Sequence, residues 1–138
     1  PVALGVDGSA SNDSSNMILE MKAAFLMHRL TSGIKAISAE DVLEMATNGG
    51  SKLLNQPEIG SIEEGKAADM FLVSSKRLGF AGGLSDPVSA LVNTGDTQIV
   101  DHTIVNGKIV VRNGKLTTYD ERKIIKNANR ISKEMING

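Results

Sequence analysis

The sequence predicts an α/β fold, and three observations carry that prediction. A short apolar run, residues 2–6, has the length and composition of a buried strand. An almost solidly apolar run from Met17, and a stretch from Ser38 with apolar residues at helical spacing, read as helices. Two β-rich runs late in the chain are joined by Asn106-Gly107, the strongest two-residue hairpin signal. The order is strand, helices, strands and a closing helix.

The first strand delivers Asp7 directly into a loop of Gly, Ser and Asn, residues 7–16. A carboxylate at a strand tip, followed by small and permissive residues, is well placed to present a ligand in a cleft. The chain begins at this strand without an initiator Met. A missing N-terminal portion of the same protein is therefore an expected partner. Residues 17–30 are almost solidly apolar, interrupted by Glu20, Lys22, His28 and Arg29. They predict a helix buried on most of its circumference, capped by Asn16 or Ser15. A second helix starts at Ser38, where Ser38 and Asp41 resemble a capping box with Asp in place of Glu. Its apolar face runs Ala39, Val42, Leu43, Ala46; Gly49-Gly50 interrupts it, and residues 51–54 add a further turn.

The texture then changes. Residues 57–65 are turn-rich and residues 67–73 read as a strand. Asp86-Pro87 opens a short helix reaching about Val92, with Pro at the first helical position. Residues 99–105 and 108–112 form the hairpin, and Asn113-Gly114 turns the chain again. Asp120 caps a final helix with Ile124, Ala128, Ile131 and Met135 on one face. A boundary is expected near residues 56–65.

Composition narrows the function classes. Fifteen basic and sixteen acidic residues leave a net charge of −1, so no nucleic acid or anionic membrane surface is expected as partner. An aromatic content of 3% without Trp argues against a base-stacking surface. The absence of cysteine excludes disulfides and thiolate metal sites in these 138 residues. No stretch approaches the roughly 18 apolar residues of a membrane span, and no signal peptide is visible. A cytoplasmic protein is the default expectation.

Four collinear motifs carry a resemblance. Val6-Asp7-Gly8-Ser9-Ala10-Ser11-Asn12-Asp13 resembles a segment of the amidohydrolase superfamily. Gly60-Ser61-Ile62-Glu63-Glu64-Gly65-Lys66-Ala67-Ala68-Asp69 resembles the strand-entry motif found late in those enzymes. Phe80-Ala81-Gly82 with residues 85–92, and Val105-Asn106-Gly107-Lys108, fit the same pattern in the same order. The branch is that of the purine and triazine aminohydrolases, which includes 8-oxoguanine deaminase and hydroxyatrazine hydrolase.

The resemblance implies the C-terminal portion of a (β/α)8 TIM-like barrel plus part of a small β-sandwich. Residues 1–57 would be the last strand and helices of the barrel. Residues 58–118 would be the C-terminal part of the sandwich with an irregular insertion, and residues 119–138 a closing helix. Sites in such barrels lie at the C-terminal ends of strands, where Asp7 falls. The resemblance also implies hydrolytic deamination or dechlorination of an electron-poor heterocycle, a purine or a triazine. A divalent metal, zinc ahead of iron, lowers the pKa of a bound water in that chemistry. Asp7 matches the family's last metal ligand and is expected to take the water's proton as a catalytic residue.

Ser9 and Asn12 are candidates for substrate contact, although Ser9, Ser11 and Asn12 could equally build the turn. Asp13 reads as a helix-entry residue, and His28 and His102 as structural. The family's histidine ligands and catalytic glutamate have no counterpart in these residues. A lone carboxylate cannot hold a catalytic zinc, which uses about three protein ligands. The isolated chain is therefore expected to bind no metal and to be inactive. The alternative to a segment of an enzyme is an inactive folding or assembly module, and a homo-oligomer is expected because unpaired edges and apolar helix faces would otherwise meet water.

Overall fold

A computed structural model describes residues 1–94 and 100–138. Among these described residues, five helices and four strands follow in order: α1 (Met17–Ser32), α2 (Ala39–Ala46), α3 (Asn48–Leu54), β1 (Met70–Leu72), α4 (Pro87–Thr94), β2 (His102–Val105), β3 (Lys108–Arg112), β4 (Lys115–Leu116) and α5 (Glu121–Asn137). A 3₁₀ turn, Leu78–Phe80, precedes α4.

Local chemistry sets most boundaries. Asn16, rather than Ser15, caps α1, its side chain accepting from the Ile18 and Leu19 N–H groups. Ser38 and Asp41 close the expected capping box on α2, and these hydrogen bonds hold the Asp41 carboxyl below the usual aspartate range. The Asp86 carboxylate accepts from the Ser89 N–H at 2.9 Å at the start of α4. Asp120 caps α5.

The core lies among α1, α2 and α4. Ile18, Met21, Phe25, Ile37, Ala39, Val42 and Val92 form one buried cluster, with Leu4, Leu43, Met45 and Val88 packed against it. Thus α4, which follows β1 in the chain, returns to pack with the N-terminal helices. The expected burial of α1 on most of its circumference is not observed. Its outer face leaves Leu26 at 51%, Met27 at 58% and Leu30 at 80% exposure, because α2 and α4 cover one side only.

Residues 2–6 form no strand, a second departure. A parallel strand exists only by hydrogen-bonding to neighbouring strands, and every described strand lies at or beyond residue 70. The segment rests on the helices instead. The Leu4 N–H donates to the Met45 carbonyl at 3.2 Å, and the Val2 carbonyl crosses Gly49 so closely that a Cβ there would sit 2.2 Å from its oxygen. The helix break falls at Thr47, before Gly49-Gly50, and both glycines lie inside α3.

The sheet is an antiparallel meander in the order β1-β2-β3-β4. Asn106 and Gly107 turn with φ 46° and 75°, the left-handed pair that a two-residue hairpin requires. Asn113 and Gly114 repeat this with φ 52° and 71°. The register shifts between Thr103 and Ile104, whose partners are Val111 and Ile109, so Val110 is a bulge. The expected strand over 67–73 shortens to Met70–Leu72, and Ile99, the expected start of β2, lies outside the described residues. The 60–69 motif has a visible structural task. Asp69 accepts from the Asn106 N–H at 2.6 Å, and Ala68 accepts from the Gly107 N–H at 3.0 Å, clamping the hairpin.

Asp101 ties the sheet to the loop after β1. Its carboxylate accepts from the Ser74 N–H at 2.6 Å and pairs with Arg77 at 2.8 Å. The Ser74 bond first, then Arg77, holds its pKa below the ordinary value of 3.8. A depressed carboxylate pKa stabilises the fold above the unfolded-state value and loses that contribution as pH falls through the folded-state value. Thermal melts from pH 5 downward are therefore expected to show a decline beginning below about pH 4. Asp101→Asn should flatten that slope and lower the midpoint at pH 7, and an unaltered slope would show that Asp101 carries none of it.

Candidate functional site

The site predicted from sequence is the loop after residue 6. Asp7 is exposed and lies at φ 59°, a left-handed conformation that Asp tolerates better than most residues. Its own carboxylate receives the Gly8 N–H at 2.7 Å, which supports that conformation. The Gly8 carbonyl then accepts the Ser11 and Asn12 N–H groups, each at 2.9 Å, and the Ser11 hydroxyl at 3.1 Å. The result is a tight turn from Gly8 to Asn12 that leaves Asp7 and Ser9 open to solvent.

Asn12 is half-buried, and both ends of its side-chain amide bond within the chain. Its Nδ2 donates to Glu20 Oε1 at 2.5 Å, and its Oδ1 accepts from the Ser14 N–H at 3.1 Å and hydroxyl at 2.8 Å. Sequence reasoning placed Glu20 only as a charge interrupting an apolar helix. Its partner lies eight residues away across a turn of irregular conformation, and no periodicity announces such a pair.

Asp7 offers an anionic oxygen that can accept a proton or touch a cation. It does not form a metal site with other groups of this chain: among the described residues, no three His, Cys, Asp or Glu side chains gather in an arrangement able to hold a metal. His28 sits on α1 and His102 on β2, neither beside Asp7 in such a cluster. A cavity of about 450 Å³ opens elsewhere, lined by Val2, His28, Ile37, Asp41, Glu44 and Lys52 among others, and not by Asp7, Ser9 or Asn12. Among the described residues, no helix is long and apolar enough to cross a membrane.

Residues 1–110 match the model of the amidohydrolase family. The chain belongs to that family. It is 38% identical over 140 residues to hydroxydechloroatrazine ethylaminohydrolase of Pseudomonas sp. strain ADP, covering 99% of this chain and 29% of that protein. It is 41% identical over 125 residues to 8-oxoguanine deaminase of Pseudomonas aeruginosa, covering 91% of this chain and 27% of the relative. The chain thus spans under a third of the length of these curated relatives.

The architecture agrees with family membership. An adenosine deaminase from Xanthomonas campestris with bound zinc superposes with a TM-score of 0.90 at 28% identity, over 99% of this chain and 31% of that one. Atrazine chlorohydrolase from Arthrobacter aurescens, complexed with zinc, gives a TM-score of 0.81 at 33% identity, over 89% and 28%. The mixed helices and small sheet are thus the amidohydrolase arrangement over this stretch. The relatives are hydrolases that remove an amine or chlorine substituent from heterocycles, and both of these solved structures contain zinc.

Proposed function

We propose that this chain is the C-terminal segment of a metal-dependent hydrolase that deaminates or dechlorinates an electron-poor heterocycle such as a purine or triazine. The observation that carries the reading is Asp7: an exposed carboxylate in left-handed conformation, opening a braced turn, in a chain that matches the family from residue 1. In this reading Asp7 is both the metal-touching carboxylate and the acceptor of the proton released as water attacks the ring carbon. Zinc, supported by the neighbours, would activate that water. The other metal donors would come from outside these residues. Ser9 faces solvent on the same turn and is assigned to substrate.

A chimera tests the proposal. Residues 1–138 replace the matching segment of the Pseudomonas hydroxydechloroatrazine hydrolase, and hydrolysis and zinc content are measured. Ring-amine hydrolysis is expected in the chimera, with Asp7→Asn lowering kcat by at least about 10². Retained activity in the Asp7→Asn chimera would overturn the assignment of Asp7.

The isolated chain has its own expected behaviour as an assembly module. Leu26, Met27, Leu30 and Ile34 on and after α1 are all more than half exposed, and α5 buries none of its residues. Faces of this kind favour self-association over hydration. Sedimentation at micromolar concentration should show species heavier than 14.6 kDa, and a lone monomer would exclude this.

A further inference from the structure

We propose that Glu20 is a positioning residue for Asp7 and that it acts through Asn12. The inference rests on the reading of Asp7 given above and adds to it a residue on α1.

The loop carrying Asp7 is bonded within its own turn, but little of it is buried. Gly8, Ser9, Ala10, Ser11, Asp13 and Ser14 are all exposed. Asn12 gathers it at three points: its N–H reaches back to the Gly8 carbonyl at 2.9 Å, its Oδ1 reaches forward to Ser14 at 2.8–3.1 Å, and its Nδ2 reaches Glu20 at 2.5 Å. The third bond transfers the restraint to a rigid element. Glu20 stands in the first turn of α1, between Ile18 and Met21, which are 7% and 1% exposed in the core. Its N–H is bonded to the Asn16 carbonyl at 3.2 Å.

A carboxylate acceptor suits the task. A hydrogen bond to an ionised group is shorter and stronger than one between neutral groups, and a negative charge in the first turn of a helix is favoured by the helix dipole. The chain of contacts therefore runs from the packed face of α1 through Glu20 and Asn12 to the Gly8 carbonyl, one residue from Asp7. Catalytic groups need their supports fixed, since a displacement of about 1 Å can cost about 10²-fold in rate. Under this inference the Asn12 side chain supports the turn, and its contacts are made within the protein.

The test uses the chimera together with the full 138-residue chain. Glu20→Ala is expected to lower kcat about 10- to 100-fold with KM within about twofold. Asn12→Asp, which sets two carboxylates against each other, should do the same. The double variant Asn12→Asp/Glu20→Gln restores the bond with its polarity reversed, the new amide donating to the new carboxylate while Ser14 keeps its acceptor. It should recover kcat to within about threefold of wild type. In the 138-residue chain, hydrogen exchange at the Ser11 and Asn12 amides should be slow in wild type and in the double variant, and fast in each single variant.

An unchanged kcat in Glu20→Ala, or a double variant as slow as Asn12→Asp, overturns the inference. A rise in KM alone on changing Asn12 overturns it in favour of substrate contact. If Asp7→Asn proves active, the functional reading fails by itself, and amide exchange still decides whether Glu20 braces the loop. Equal exchange in all variants would overturn the brace even if the chimera does not fold.

Discussion

Phe25→Ala is expected to destabilise the fold by about 3–5 kcal/mol, a large share of the roughly 5–15 kcal/mol that holds a typical domain together. Phe25 is 5% exposed on the inner face of α1 and belongs to the buried cluster shared with α2 and α4. The Arg29 guanidinium lies over its ring, 3.9 Å from the centroid, so the substitution also removes a cation–π contact of about 0.5–1 kcal/mol. The better helix propensity of Ala returns only about 0.5 kcal/mol. Loss of burial wins by a wide margin. Among the described residues the core has few other large side chains to compensate, Met21, Val42 and Val92 being the largest fully buried ones. Urea unfolding followed by circular dichroism measures the effect. Leu30→Ala, at 80% exposure on the same helix, is the reference and should shift stability by no more than about 0.5 kcal/mol. Equal effects at the two positions would refute the one-sided packing of α1.

Gly49→Ala and Gly50→Ala are expected to act in opposite directions, although they are neighbours in α3. A Cβ at Gly50 meets nothing within 4 Å, whereas one at Gly49 falls 2.2 Å from the Val2 carbonyl oxygen and 3.2 Å from that of Glu44. At Gly50 the substitution removes helix-interior glycine and should stabilise by about 0.5–1 kcal/mol. At Gly49 the obstacle is backbone, so the strand-like segment before Asp7 must lift off the helices or α3 must deform, at a cost of about 1–3 kcal/mol. The sign at Gly49 is decided by the clash, not by propensity. Hydrogen exchange at Leu4, whose N–H bonds to the Met45 carbonyl, should accelerate in Gly49→Ala and stay unchanged in Gly50→Ala. Matching melting temperatures and exchange rates in the two variants would show that residues 1–6 are not seated on α3.

The features legible in sequence are those whose partners lie a few residues apart. The Ser38 and Asp41 box, the Asn16 and Asp120 caps, Pro87 at the head of α4 and both Asn-Gly turns are satisfied within three residues. Local hydrogen bonds and allowed φ values decide them, so residue identity suffices. The loop that carries Asp7 was legible to a similar extent. The order Asp7-Gly8-Ser9 announces a carboxylate entering a loop, and the four motifs in sequence order announce the family that residues 1–110 match.

The departures have one cause. Residues 2–6 have strand composition, yet strand formation depends on neighbouring strands, and the segment lies on α2 and α3 instead. The solid apolar run of α1 predicts burial on most of its circumference, but how much of a helix is covered depends on how many elements reach it. Likewise, α4 joining α1, the Asp101 tie to Ser74 and Arg77, and the Asn12–Glu20 bond all join residues that local spacing does not relate.

What the sequence determined by itself was where helices begin, where hairpins turn, and which carboxylate opens the loop. What only the tertiary structure decided was which faces are covered and what holds that loop in place. Caps and turns are satisfied by the backbone within one turn of chain, whereas burial and bracing arise only when distant elements are brought into contact.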